Sequence, residues 1–144
     1  MIRSANKEDY PILIDIWESA VKATHDFLSD EDFEFYKAHI PIYFKHVSLY
    51  KYMDDDGVIK GFLGIEDDGI EMLFVDNESR GTGIGKVLLD YAINELNARK
   101  VDVNEQNKQA LKFYYHFGFK EVDRSEYDGE GKAYPILHLM KTCD

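Results

Sequence analysis

The sequence predicts an α/β (α+β) fold: a mixed, mostly antiparallel central sheet of about seven strands, with helices against both faces. Three observations carry this. Short strand-like runs bounded by turn signals alternate with runs at helical spacing, in the order β-α-α-β-β-β-α-β-α-β-β. Asp-Gly pairs separate the strand-like runs between residues 47 and 75, which marks hairpins and therefore antiparallel pairing. A glycine-dense segment, RGTGIGK at residues 80–86, closes that meander and opens an amphipathic helix. At 144 residues, with no repeat, linker or low-complexity stretch, the chain 1–144 reads as one domain able to bury a single core.

Each element has a local reason. Residues 2–3 begin a short strand, and Asn6 with Asp9 has the form of a capped helix start. Ile12, Leu13, Ile16, Trp17, Ala20, Val21 and Thr24 recur at helical spacing, so the first helix runs to about residue 24. Ser29 or Asp30 caps a second helix, which Pro41 is expected to end; PIYFKH after it reads as a turn or a short helical piece. SLYKYM, VIKGFLGIE and IEMLFV form the meander, with DDDG and DDG as its turns. A helix over 84–98 follows, then a strand at VDV, a helix from Asn107 to His116, and strands at about 119–127 and 133–140 around the turn DGEGK.

Composition excludes several classes. The net charge of −11 argues against nucleic acid, whose phosphates need clustered Lys and Arg, and it tips the choice of ligand toward a cationic one. A lone Cys143 rules out an internal disulfide framework and a Cys-based zinc site, and its penultimate position does not suit a nucleophile. His39, His46, His116 and His138 show no metal-ligating spacing, so no metal is expected. No signal-peptide pattern follows Arg3, and no run approaches the roughly 20 apolar residues of a membrane span. The expected location is cytoplasmic, with no membrane partner.

The glycine segment needs an anion to explain it, because glycines let the backbone approach closely and the first N–H groups of a helix are free to donate. A P-loop requires Ser or Thr after Gly-Lys, but Val87 follows Gly85-Lys86. A dinucleotide fingerprint requires GxGxxG, but the third glycine position falls on Lys86 or Leu88, and an antiparallel meander precedes it. Arg80-x-x-Gly83-x-Gly85, after a strand and at a helix start, resembles the acyl-CoA cradle of the GNAT superfamily of N-acetyltransferases. A second segment resembles that superfamily's other signature: Asn107, Ala110, Phe113, Tyr114, Gly118 and Phe119 fill N-x-x-A-x-x-F-Y-x-x-x-G-F in register. The element order matches too. ATHDFLS (23–29), VNEQN (103–107) and RSEYDGEGKAYPILHL (124–139) are similar to stretches of the YjaB-like bacterial N-acetyltransferases.

The resemblance implies a GNAT fold over the whole chain and direct acetyl transfer from acetyl-CoA, a co-substrate, to a primary amine of a small molecule or peptide. It implies that Arg80, Gly81, Thr82, Gly83, Ile84, Gly85 and Lys86 hold the pyrophosphate and that Asn107 contacts CoA. Asn104 either shares that contact or ends its strand. Backbone N–H groups around Leu73, Phe74 and Val75, on a strand that splays from its parallel neighbour in this fold, would meet pantetheine and the developing oxyanion. Tyr114 would donate to the leaving sulfur, with Tyr115 pointing about 100° away on the same helix.

A primary amine with pKa near ~10.4 is mostly protonated at pH 7, so a base or a water relay is also needed. Glu71, His25 and a water relay are the alternatives: Glu71 shares a strand face with Leu73 and Val75, and His25 with Asp26 joins the first two helices, where the resemblance puts the acceptor. Tyr127, Tyr134 and His138, near the last hairpin, read as core or rim. The oligomeric state is left open between monomer and homodimer. Two alternatives remain: a CoA-binding module that performs no transfer, and an acyltransferase that uses another acyl-CoA.

Overall fold

The computed structural model describes residues 1–142, so Cys143 lies outside the described residues. Two compact units divide the chain, Met1–Ala98 and Arg99–Asp144. Among the described residues they hold seven strands and four α-helices, in the order expected from the sequence.

In the first unit, β1 (Ile2–Ser4), β2 (Ser48–Met53), β3 (Ile59–Glu66) and β4 (Gly69–Val75) pair as successive antiparallel neighbours. Asn6 accepts from the Glu8 N–H and Asp9 accepts from the Asn6 N–H, each at 3.0 Å. This reciprocal cap closes a single 3-10 turn, Lys7–Asp9, that leads into α1 (Tyr10–Thr24). The cap of α2 (Asp30–Phe44) is Ser29, whose Oγ accepts from the Asp32 N–H at 3.1 Å.

Pro41 does not end α2. The helix runs through it to Phe44, because Ile40 and Phe44 are both buried in the core and hold the last turn in place. A proline removes one helical donor and crowds the carbonyl four residues back, but packing of the turn that follows outweighs that loss here. PIYFKH is thus helical at its start, and the chain leaves it through i→i−3 bonds from Lys45 and His46.

Register assigns the two faces of this sheet. Lys51, Phe62 and Phe74 oppose one another on the face covered by α1 and α2, where Leu13, Ile16, Trp17, Val21, Ile40, Phe44 and Leu49 complete the core. Gly61 and Val75, one residue along each strand, fall on the opposite face. There α3 (Ile84–Leu96) seats Ile84 and Leu88 so closely that a Cβ on Gly61 would stand 3.2 Å from each. The helix stops two residues short of the expected end, because Asn97 turns left-handed at φ 57.

In the second unit β7 (Ile136–Lys141) lies between β5 (Lys100–Asn104) and β6 (Phe119–Ser125), antiparallel to both. Val101, Val103, Leu137 and Leu139 alternate as buried residues, which turns Asp102 and His138 to the other face. The last strand starts at Ile136 rather than 133, directly after Pro135, which has no N–H for a ladder. Helix α4 (Lys108–His116) ends at His116, and the chain turns away two residues on at Gly118, whose φ of 91 only glycine adopts freely.

Phe62 is fully buried and packs edge-on to Phe44 at 5.8 Å and tilted to Phe74 at 5.7 Å, which ties α2 to two strands. Phe62→Ala is expected to lower unfolding stability by about 3–5 kcal/mol, read as a lower urea midpoint.

Candidate active site

The anion-binding segment lies between β4 and α3. Gly81 and Gly83 are left-handed, at φ 79 and 87, and a Cβ on either would meet nothing within 4 Å. Glycine is therefore required by backbone conformation at these two positions, not by lack of room. Gly83 is the N-cap of α3 and supplies no side-chain cap. The first intrahelical bond runs from the Val87 N–H to the Gly83 carbonyl at 3.1 Å, so the N–H groups of Ile84, Gly85 and Lys86 have no intrahelical acceptor. Such a start carries partial positive charge as well as donors. Gly85 and the exposed Lys86 lie in the first turn.

The loop ahead of this start is braced from α1. Ser19 Oγ donates to Asp76 Oδ1 at 2.9 Å and accepts from the Asn77 N–H at 3.0 Å. Asn77 Oδ1 in turn accepts from Arg80 Nη1 at 3.3 Å, and the Thr82 hydroxyl donates to the Ser79 carbonyl. Arg80 and Thr82 are exposed. Ser19 is absent from the sequence-derived site, since nothing local in a helix announces a partner 57 residues away.

Leu73, Phe74 and Val75 occupy β4 opposite Leu63, Phe62 and Gly61, all three half-buried. The half-buried Phe74 side chain packs against the α1–α2 core. Glu71 is exposed and lies at an irregularity: Ile65 opposes Ile70 while Gly64 opposes Met72, leaving Glu71 as an extra residue on β4. This bulge breaks the alternation just ahead of Glu71, and its carboxylate reaches back over Gly69.

His25 ends α1, with its N–H donating to the Val21 carbonyl at 2.7 Å. Its ring packs against Phe27 at 5.1 Å, and its Nδ1 lies 2.7 Å from Thr24 Oγ1. The Thr24 hydroxyl donates its proton to the Ala20 carbonyl at 2.8 Å, so His25 Nδ1 carries the ring proton and Nε2 is the acceptor. Burial lowers the imidazole pKa to about 4, against a smaller opposing effect from Asp26. His25 is thus neutral at physiological pH.

In the second unit Asn107 caps α4, its Oδ1 accepting from the Ala110 N–H at 3.2 Å. Asn104 is the last residue of β5. Tyr114 is buried, its ring edge-on to Phe113 at 5.2 Å and to Phe119 at 5.5 Å. Burial pushes its hydroxyl well above the ordinary phenol range, so it keeps its proton. Tyr115, one residue on, is exposed.

The same unit holds a polar cluster around His138, whose partners are not evident from the sequence. His138 Nδ1 lies 2.7 Å from Asp102 Oδ1, and His138 Nε2 lies 2.7 Å from Ser125 Oγ. The only advance signal is the alternation V-D-V and L-H-L, which turns Asp102 and His138 to the polar face of their strands. Tyr127 is exposed and Tyr134 half-buried. No group of three or more metal-ligating side chains forms among the described residues, and no helix there is long and apolar enough to cross a membrane.

Comparison with known proteins places the chain in a family. The family model described as "Acetyltransferase (GNAT) domain" matches residues 12–134. The peptidyl-lysine N-acetyltransferase YjaB of Salmonella typhimurium is 37% identical over 139 residues, covering 96% of both chains. The solution structure of apo-form YjaB from Escherichia coli superposes with a TM-score of 0.86 at 34% identity, covering 100% of this chain and 98% of its own. A PaiA N-acetyltransferase of Thermoplasma acidophilum, solved in complex with coenzyme A, shares the fold at a TM-score of 0.71 and 21% identity, with 99% and 98% coverage. The chain belongs to the GNAT acetyltransferases, and it is an enzyme whose chemistry is acetyl transfer to an amine nitrogen.

The lowered pKa of His25 links stability to pH. Above about 6.5 the ring is neutral in both folded and unfolded chains; below that the unfolded chain binds the proton first. Stability is therefore expected to fall as pH drops from about 6.5 toward 4, by up to about 3 kcal/mol from this residue. Urea unfolding at pH 7, 5.5 and 4 should show a shallower decline in His25→Gln than in the natural protein.

Proposed function

We propose that this enzyme takes acetyl-CoA as donor and a lysine side-chain amine of a peptide or protein as acceptor. The observation that carries the donor assignment is the start of α3, where two left-handed glycines lead to three N–H groups with no intrahelical acceptor. The acceptor assignment leans on the peptidyl-lysine activity in the name of the relative that is 37% identical. A cationic acceptor also suits a chain of net charge −11. The whole chain acts as one acetyltransferase domain, in the cytoplasm, as a monomer or homodimer.

The roles follow residue by residue. The N–H groups of Ile84, Gly85 and Lys86 hold the pyrophosphate, Arg80 adds its charge, and Gly81, Thr82 and Gly83 give the loop its path. Leu73, Phe74 and Val75 offer backbone groups to pantetheine and to the thioester oxygen as charge develops on it. The amine nitrogen attacks the thioester carbon; the N–C bond forms, the C–S bond breaks, and CoA leaves as a thiolate. Tyr114, which keeps its proton, donates a hydrogen bond to that sulfur, and Asn107 contacts CoA through its amide NH2.

Freeing a lysine-type amine at pH 7 costs about 4–5 kcal/mol, at roughly 1.4 kcal/mol per pK unit. His25, with a pKa of about 4, is too weak a base to take that proton outright. Its Nε2 is instead an acceptor that orients the amine. Proton removal falls to Glu71, which is exposed to solvent, or to a water relay.

Calorimetry with acetyl-CoA is expected to show saturable binding, which Gly83→Val weakens about tenfold or more by forcing a β-branched residue to φ 87. Absence of binding to the natural protein would overturn the donor assignment. Tyr114→Phe is expected to lower kcat about 10²-fold or more with little change in CoA affinity, measured by thiol release with a lysine peptide. Equal losses in both would remove Tyr114 from its role at the sulfur. A panel of lysine peptides and polyamines in the same assay tests the acceptor.

A further inference from the structure

Asp102 on β5, His138 on β7 and Ser125 on β6 come from three neighbouring strands of one sheet and share its polar face. Asp102 opposes His138 directly in register, and Ser125 opposes Ile136, two residues from His138 on the same side. The contacts run in one line, Asp102 Oδ1 to His138 Nδ1 at 2.7 Å and His138 Nε2 to Ser125 Oγ at 2.7 Å. A carboxylate accepts and does not donate, so it fixes the imidazole proton on Nδ1 and leaves the Nε2 lone pair to accept from the Ser125 hydroxyl. The direction of proton donation is thus set from one end of the chain to the other. The His138 side chain is 30% exposed and that of Asp102 60%, so small molecules have access to the cluster.

A serine with a hydrogen-bonded imidazole behind it, and a third group orienting that imidazole, is the arrangement that activates a hydroxyl as a nucleophile. A purely structural hydrogen bond needs only two of these groups. We propose that Ser125 is an acyl-accepting nucleophile, with His138 as its general base and Asp102 as the positioning residue, acting on acyl esters with good leaving groups. In the first step the Ser125 Oγ–acyl carbon bond forms and the bond from that carbon to the leaving oxygen breaks. The Ser125 proton passes to His138 Nε2 and from there to the leaving group. In the second step water adds to the acyl carbon and gives a proton to His138 Nε2; the bond from that carbon to Ser125 Oγ then breaks, the carboxylic acid leaves, and the proton on Nε2 returns to Ser125 Oγ. No residue assigned to CoA or amine binding takes part, so this activity and N-acetyl transfer stand or fall separately.

The test uses the full chain with p-nitrophenyl acetate and with an organophosphonate serine probe, without acetyl-CoA. Peptide mapping is expected to find the adduct on Ser125 in preference to Ser4, Ser19, Ser29, Ser48 and Ser79. The labelling rate at Ser125 is expected to fall about 10²-fold in His138→Gln and substantially in Asp102→Asn, which reverses the tautomer. Thermal melts of both variants separate this loss from unfolding. Because Asp102 is largely exposed, its variant keeps the test decisive even if His138→Gln fails to fold. Labelling spread evenly over the serines of the natural protein, or an unchanged rate at Ser125 in a folded Asp102→Asn or His138→Gln variant, would overturn the proposal.

Discussion

The start of α3 depends on an empty place on β3. At Gly61 a single added carbon would stand 3.0 Å from the Phe74 carbonyl oxygen and 3.2 Å from both Ile84 and Leu88. Without it the first two turns of α3 rest directly on the strands, and Ile84, the first residue of the helix, becomes a packing residue. That contact fixes where the helix begins and therefore where its unbonded N–H groups emerge. The left-handed glycines then have one task, to bring the chain from the end of β4 to a point already set by packing. Dense packing transmits such a displacement and does not absorb it, so the position of the anion site is a property of the core as much as of the loop.

The elements of this fold were largely legible because their signals are local. Asp-Gly turns, the short β-rich runs of β3 and β4 and the amphipathic pattern of α1 each lie within a dozen residues. The two GNAT signatures are local as well, and they carried the family and the chemistry. Pro41 was misread because local geometry argues for a stop, while the reason to continue, burial of Ile40 and Phe44, is tertiary. The bulge at Glu71 was invisible for a related reason, since an extra residue on one strand shows only when its partner strand is in place.

Site chemistry was less legible than site position. His25 was picked out from its place between two helices, but its proton is assigned by Thr24, whose own hydroxyl is committed to Ala20. The Asp102–His138 pair spans 36 residues and exists only through the antiparallel register of β5 with β7. Ser19 reaches the loop before Arg80 from a helix far earlier in the chain. In each case the residue type was visible and the partner was not. Hydrogen-bond direction is decided by partners, so it is the last feature a linear reading recovers.

Asn107 holds two requirements in one side chain. Its carbonyl oxygen is committed to the Ala110 N–H and so keeps α4 from fraying at its first turn. The amide NH2 is left over, and it can donate but not accept. Aspartate would cap the helix equally well, yet present a second acceptor and a negative charge to whatever approaches. Serine would cap it too, but its single hydroxyl oxygen would have to accept for the helix and donate to a neighbour from one point close to the backbone. Asparagine places the acceptor for the helix and the donor for a neighbour on two separate atoms of one side chain, so helix stability and the polarity offered to a ligand are inherited together at this position.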